Sequence, residues 1–109
     1  MASSDFPLRV TQKLDEIEAE MHSIGLWQTS PLRADQLDFS SAFGADTMAF
    51  SQWLQFIFLP RAREAIAANR FPRSSNVGTQ AIREFDTEPN AAHLTNLLNE
   101  FDALIEGRP

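Results

Sequence analysis

Between Leu8 and Ile24 apolar residues recur at helical intervals: Val10, Leu14, Ile17, Met21 and Ile24 are spaced by four, three, four and three residues. Such spacing keeps them on one narrow stripe and predicts a first helix that buries a single face. Asp5 is placed to cap its free N–H groups, and Pro7 falls in the first turn, where a missing N–H costs little. Gly25 can close the helix in the left-handed conformation. Asp15, Glu16, Glu18 and Glu20 lie off the stripe and read as a solvated acidic face.

From Leu26 to about Ala49 the periodicity disappears, and Thr29, Ser30, Pro31, Ser40, Ser41 and Gly44 read as loop. A structureless connection of more than twenty residues is unusual in a compact domain and needs its own anchors. Leu26, Trp27, Leu32, Leu37, Phe39 and Phe43 are the expected ones, wrapping the loop over the rest of the chain around a short helical turn.

A second helix is predicted from Phe50 to about Asn69, with Asp46 or Thr47 supplying acceptors ahead of its first turn. Trp53, Leu54, Phe56, Ile57, Phe58 and Leu59 fill six of seven positions, interrupted by Gln55 alone, so this helix is apolar nearly all round. Such a segment is covered on every side, which makes it the central element. Pro60 sits inside it. A proline there removes the bond to the Phe56 carbonyl and clashes with it, at a cost of about 3 kcal/mol or more. The helix either kinks at Pro60 or ends near Phe58 and restarts. The helix-favouring Ala62, Ala65, Ile66, Ala67 and Ala68 make the kinked continuation the preferred reading.

A second loop over Phe71 to Gly78 leads to a short third helix, about Thr79 to Phe85, expected to bury Ile82 and Phe85. The fourth opens at Thr87-Glu88-Pro89, capped by Thr87 or Glu88. Its stripe is Ala91, Leu94, Leu98, Phe101 and Ile105, widened by Leu97 and Leu104 and stopped by Gly107. No strand-like alternation and no repeat compete. The predicted fold is all-α, a four-helix bundle with a long hydrophobic loop between helices 1 and 2 and a Pro-kinked central helix 2, forming a single domain over residues 1–109.

Composition narrows the chemistry. Hydrophobic residues at 43% and charged residues at 22% suit a folded chain. The absence of cysteine removes disulfides, thiolate zinc sites and thiol nucleophiles. No apolar run is long enough for a signal peptide or a bilayer span, so a cytoplasmic protein without membrane contact is expected. The net charge of −6 opposes wholesale nucleic-acid binding, which is expected to be weak or absent. The charge is nevertheless uneven: Arg61, Arg63, Arg70 and Arg73 face only Glu64 within their segment. Those arginines either decorate a helix end or contact an acidic protein or RNA phosphate. Trp53 and Phe56 are further candidates for a partner surface, since one flank of helix 2 left open would take another protein or a second copy, giving a monomer or a homodimer through helix 2.

Catalytic equipment is not visible. His22 and His93 stand on separate helices, and neither has the ligand spacing of a metal site. No serine has a recognisable base, the four glycines are isolated, and the pairs Asp15/Glu16, Asp86/Glu88 and Glu100/Asp102 fall on solvated faces or helix ends. No catalytic residue, metal or cofactor is assigned. The alternative is a small ligand-binding or hydrolytic bundle using His22 or His93 with a nearby acid.

Asp46-Thr47-Met48, then Gln52-Trp53-Leu54-Gln55-Phe56 and Leu59-Pro60-Arg61, resemble the hallmark segment of the YqcC-like family of small helical bacterial proteins. The likeness extends to the first helix ending near Trp27 and to Phe101-Asp102-Ala103-Leu104 in the last; relatives can carry proline where this chain has Phe50. The resemblance implies a compact four-helix bundle without known catalytic residues. It also implies an accessory role beside a tRNA pseudouridine synthase of the C type, whose gene often neighbours that of the family. The expectation is therefore a non-catalytic accessory or interaction protein.

Overall fold

A computed structural model describes residues 5–107. Among them lie four helices and no strand. Helix α1 is Asp5–Ser23. Helix α2 is a rod over residues 50–67, built from α-helical Phe50–Trp53, a π-helical turn Leu54–Phe58 and α-helical Leu59–Ala67. Helix α3 is Val77–Glu84, and α4 is Ala92–Glu106, entered through a 3-10 turn at Pro89–Ala91. α4 packs along both α1 and α3, and α1 also lies along the second half of α2.

The two regular stripes behave as their spacing requires. Val10, Leu14, Ile17 and Met21 are fully buried, Phe6 extends the stripe by one turn, and Ile24 is half-buried. Asp5 is the first helical residue rather than the cap, and the position before it lies outside the described residues. Gly25 ends α1 at φ +77°, where the Leu26 N–H donates to the Met21 carbonyl (2.9 Å) and the Gly25 N–H to that of His22 (3.2 Å). This six-to-one plus five-to-two pattern is a Schellman closure. Asn69, at φ +53°, closes α2 in the same way through Arg70 to Ala65 and Asn69 to Ile66. Ala91 in the entry turn and Leu94, Leu97, Leu98, Phe101 and Ile105 on α4 are all buried, while Glu88 ahead of Pro89 makes no side-chain cap bond.

α2 continues through Pro60, and the π turn is what accommodates the ring. The Leu59 N–H reaches back five residues to the Leu54 carbonyl, so the turn just ahead of the proline is widened. A wider turn holds one extra residue and relieves the crowding that a proline imposes on the preceding carbonyls.

The long connection is anchored differently from expectation. Leu37 is 56% exposed, and Leu26, Trp27, Leu32, Phe39 and Phe43 are only half-buried. Two glutamines are buried instead. Gln55, the one polar interruption of the apolar run, accepts from the Gln28 N–H (2.9 Å) and donates to the Gln28 carbonyl (2.7 Å). Gln36 accepts from the Arg33 N–H and donates to the Thr47 carbonyl, while the Thr47 hydroxyl donates to the Gln36 carbonyl. Asp46 accepts from the N–H groups of Ser40 and Ser41. Asp46 and Thr47 thus close the loop on itself rather than capping α2. At the start of α2 it is Gln52 that accepts from the Ala49 N–H.

α3 also departs from expectation. It begins at Val77, and Ile82 is 55% exposed, while Val77, Gly78 and Ala81 are buried and Phe85 is half-buried. The face is set by close approach rather than by side-chain bulk. Gly78 lies so near α4 that a Cβ would stand 2.6 Å from the Asn99 backbone. Buried Asp102 on α4 accepts from the Val77 and Gly78 N–H groups (3.1 and 2.8 Å) and from the Ser75 hydroxyl, satisfying the first turn of α3 from outside it.

Replacing Gly78 with alanine is a test of this approach. In an uncrowded helix the change gains about 1 kcal/mol. Here Gly78→Ala is expected to lower stability by about 1–3 kcal/mol, because the methyl meets backbone that cannot move independently of α4. The urea midpoint measures it, and a raised midpoint would show that the two helices are not in this contact.

Candidate functional site

The apolar run of α2 is covered over most of its circumference. Leu54, Gln55, Ile57, Phe58 and Leu59 are buried, whereas Trp53 and Phe56 are half-buried. Trp53 opens onto a groove of about 460 Å³ between α2 and the segment 71–77, walled by Phe43, Phe58, Phe71 and Phe101, with Arg61 at one edge. Ser74, Ser75 and Asn76 line its other side.

Aromatic packing fixes the floor. The Trp53 ring centroid lies 5.0 Å from that of Phe43, 6.0 Å from Phe50 and 5.8 Å from Phe58, and Phe58 meets Phe101 edge-on at 5.0 Å. Phe43 holds its place in an unusual backbone conformation, φ +58° and ψ 21°. A bulky residue in the left-handed region carries strain of about 1–3 kcal/mol and persists only where its surroundings over-determine it. They do so here. Gly44 follows at φ +62°, with Met48 and Trp53 side-chain atoms 3.2 Å from where a Cβ would lie, and the Phe43 ring is wedged between Phe50 and Trp53.

The four candidate arginines divide into two sets. Arg63 turns to α1 and pairs with Asp15 (3.0 Å) and Glu18 (3.1 Å), so it stands outside the groove. Arg61, Arg70 and Arg73 are exposed, and among the described residues no acid lies within ion-pair distance of them. Arg61 and Arg70 border a shallow depression with Glu64 between them. Phe56 lines neither the groove nor this depression. Phe43, Phe71 and Phe101 are groove residues not singled out as site candidates from sequence; Phe43 stood there as a loop anchor, and its place directly before Gly44 was the available signal.

Other chemistry is dispersed. His22 is exposed, stacked on Trp27 at 4.6 Å and 4.0 Å from Glu18; His93 is exposed as well, and neither lines the groove. A more polar depression between α1 and α4, about 610 Å³, contains Lys13. Burial pushes the Lys13 ammonium down, but its bonds to Glu100 (2.6 Å) and Glu16 (2.9 Å) outweigh this and leave it raised. Among the described residues no group of three histidines or acids could hold a metal ion, and no helix is long and apolar enough to cross a membrane.

Comparison with known proteins follows the same lines. A family model, DUF446, described as tRNA pseudouridine synthase C, matches residues 9–104. An uncharacterized protein of Haemophilus influenzae is 29% identical over 99 residues, covering 87% of this chain and 88% of the relative. The tRNA pseudouridine synthase C of Pectobacterium carotovorum is 33% identical over 67 residues, which cover 61% of this chain but only 18% of that protein. The solution NMR structure of YqcC from E. coli superposes with a TM-score of 0.85 at 23% identity, over 95% of this chain and 91% of the other, and shares the fold.

Asp46 closes the loop segment that carries Phe43 by accepting from Ser40 and Ser41, and this gives a pH dependence of known sign. The Ser40 N–H is the main cause that holds the Asp46 carboxyl below its ordinary value of 3.8; desolvation opposes it, and the N–H groups of Ser41 and of Asp46 itself and the Ser40 hydroxyl add to the lowering. A depressed carboxyl favours the folded loop above its ordinary value and loses that contribution as pH falls through the lower folded value. Protection of the Ser40 and Ser41 amides, corrected for intrinsic exchange, is expected to stay level from about pH 7 to about pH 5 and to fall only below the ordinary carboxyl value. Asp46→Asn should lower it already at neutral pH; unchanged protection in that variant would show the carboxylate is not the clasp.

Proposed function

The chain belongs to the DUF446 family of YqcC-like proteins, and from that footing we propose that it is a non-catalytic, single-domain accessory of a tRNA pseudouridine synthase in the cytoplasm. The observation that carries this reading is the Pectobacterium relative. A stretch similar to this chain makes up less than one fifth of a protein named as the synthase itself. Parts joined in one chain meet at millimolar effective concentration, whereas a separate chain must replace the linkage with an interface. Trp53, Arg61, Arg70 and Arg73 are the candidate residues this reading uses.

Several features fit an accessory better than an enzyme. The buried acid Asp102 is fully engaged by two N–H groups and a hydroxyl, so it is not a base facing a cavity. The rival, a ligand-binding or hydrolytic bundle using His22 or His93, has both histidines exposed and away from the aromatic groove. Transfer RNA in this reading is bound chiefly by the synthase, in keeping with the net charge of −6.

Mixing the purified chain with the C-type synthase of the same organism tests the proposal. A saturable complex is expected by calorimetry and by size-exclusion chromatography, with an affinity in the micromolar range or tighter. Failure of both methods to detect a complex at tens of micromolar would sink it.

A further inference from the structure

The groove lies against an uneven distribution of charge. Acids of α1 neutralise Arg63, and Glu16 and Glu100 neutralise Lys13, yet Arg61 and Arg70 border a depression whose one acid is Glu64, and exposed Arg73 is paired with no acid among the described residues. In a chain of net charge −6, Arg61 lines the aromatic groove without an ion-pair partner among the described residues, and Arg70, across the adjoining depression from it, is unpaired as well, a charge pattern that this chain does not complete itself.

We infer that the groove docks an acidic segment of the partner protein, with a large apolar side chain entering against Trp53 and Phe58 and a flanking carboxylate pairing with Arg61. This rests on the accessory reading and names the chemistry of the segment it would recognise. The volume of about 460 Å³ falls within the roughly 300–1,000 Å³ usual for binding sites. Arg61, Ser74, Ser75 and Asn76 are the polar residues of an otherwise largely apolar lining. The Ser75 hydroxyl already donates to Asp102, and among the other lining donors, the Ser74 hydroxyl, the Asn76 amide and the Arg61 guanidinium, only Arg61 carries charge and a fork that matches a carboxylate. Tryptophan and arginine beside one another are also the residue types that concentrate binding energy in interfaces. The strained backbone at Phe43 means that the aromatic floor is set before anything binds, which lowers the ordering cost of docking.

RNA also stacks on aromatics and pairs with arginine. It fits less well here. Setting aside the three guanidinium groups leaves a net charge of −9 on the rest of the chain, which repels a polyphosphate but is little felt by a short peptide segment.

The test uses the full chain, isotopically labelled, and overlapping synthetic peptides that tile the synthase. Each acidic peptide with a tryptophan, leucine or phenylalanine is paired with a version carrying lysine for every acid, and a single-stranded RNA dodecamer is included. At least one acidic peptide is expected to give saturable NMR shifts at the Trp53 indole and residues 71–77. Arg61→Glu/Arg70→Glu, at two exposed positions that should not disturb folding, is expected to weaken it at least about tenfold. The inference is overturned if no acidic peptide binds at millimolar concentration, if the lysine versions bind equally well, if the RNA takes the groove more tightly, or if self-association of the chain covers it. A synthase complex that forms but ignores Arg61→Glu/Arg70→Glu rejects the groove while keeping the accessory reading. Charge-dependent binding of tiled peptides without any complex of the intact synthase does the reverse.

Discussion

Gln55 carries the long connection. An amide side chain offers one donor and one acceptor, as a peptide group does, and Gln55 gives both to the backbone of Gln28 as a neighbouring strand would. Each such bond contributes only about 1 kcal/mol net, but a partly buried N–H and carbonyl left without partners cost about 1–3 kcal/mol apiece. The asymmetry makes the pairing a condition of the loop's path. With Gln36 repeating the device against Arg33 and Thr47, a segment whose regular structure is limited to the 3-10 turns Ala34–Leu37 and Ala42–Gly44 is held firmly enough to bring Phe43 against Trp53. The groove is therefore a by-product of hydrogen bonding made elsewhere.

What the sequence made legible follows a physical division. The faces of α1 and α4 are written in large apolar residues at helical spacing, and volume on one side of a helix leaves few ways to bury it. The face of α3 is written in Gly78 and in a carboxylate that belongs to another helix, so counting apolar bulk pointed to Ile82, which is exposed. The loop anchors were misjudged for a related reason: a glutamine among phenylalanines reads as a flaw until its partner is known. Continuation through Pro60 could be read from the alanines after it, but the π turn could not, because it is a geometric answer with no composition of its own.

The site was legible in part. Trp53 and Arg61 were brought together at the groove, while Arg63 was not, and this division was within reach of the sequence. Two residues on a helix lie about 200° apart, so Arg61 and Arg63 could never share a face. Which of them would meet α1 needed the fold. The fold similarity to YqcC of E. coli extends over nearly the whole chain and concerns the path of the backbone; the groove's chemistry rests on side chains of this chain.

The π turn has a consequence for direction. One extra residue in a helix rotates everything after it by about 100° relative to everything before. Residues 59–67 are thus offset in phase from residues 50–53, and that offset sends Arg63 towards α1 and Arg61 towards the groove. Seen so, Leu54–Phe58 works as a coupling between two shafts. The first is keyed to the loop by Gln52, which donates to the Gln28 side chain, the second by Arg63 to α1, and the angle at which they are joined decides which arginine faces outward.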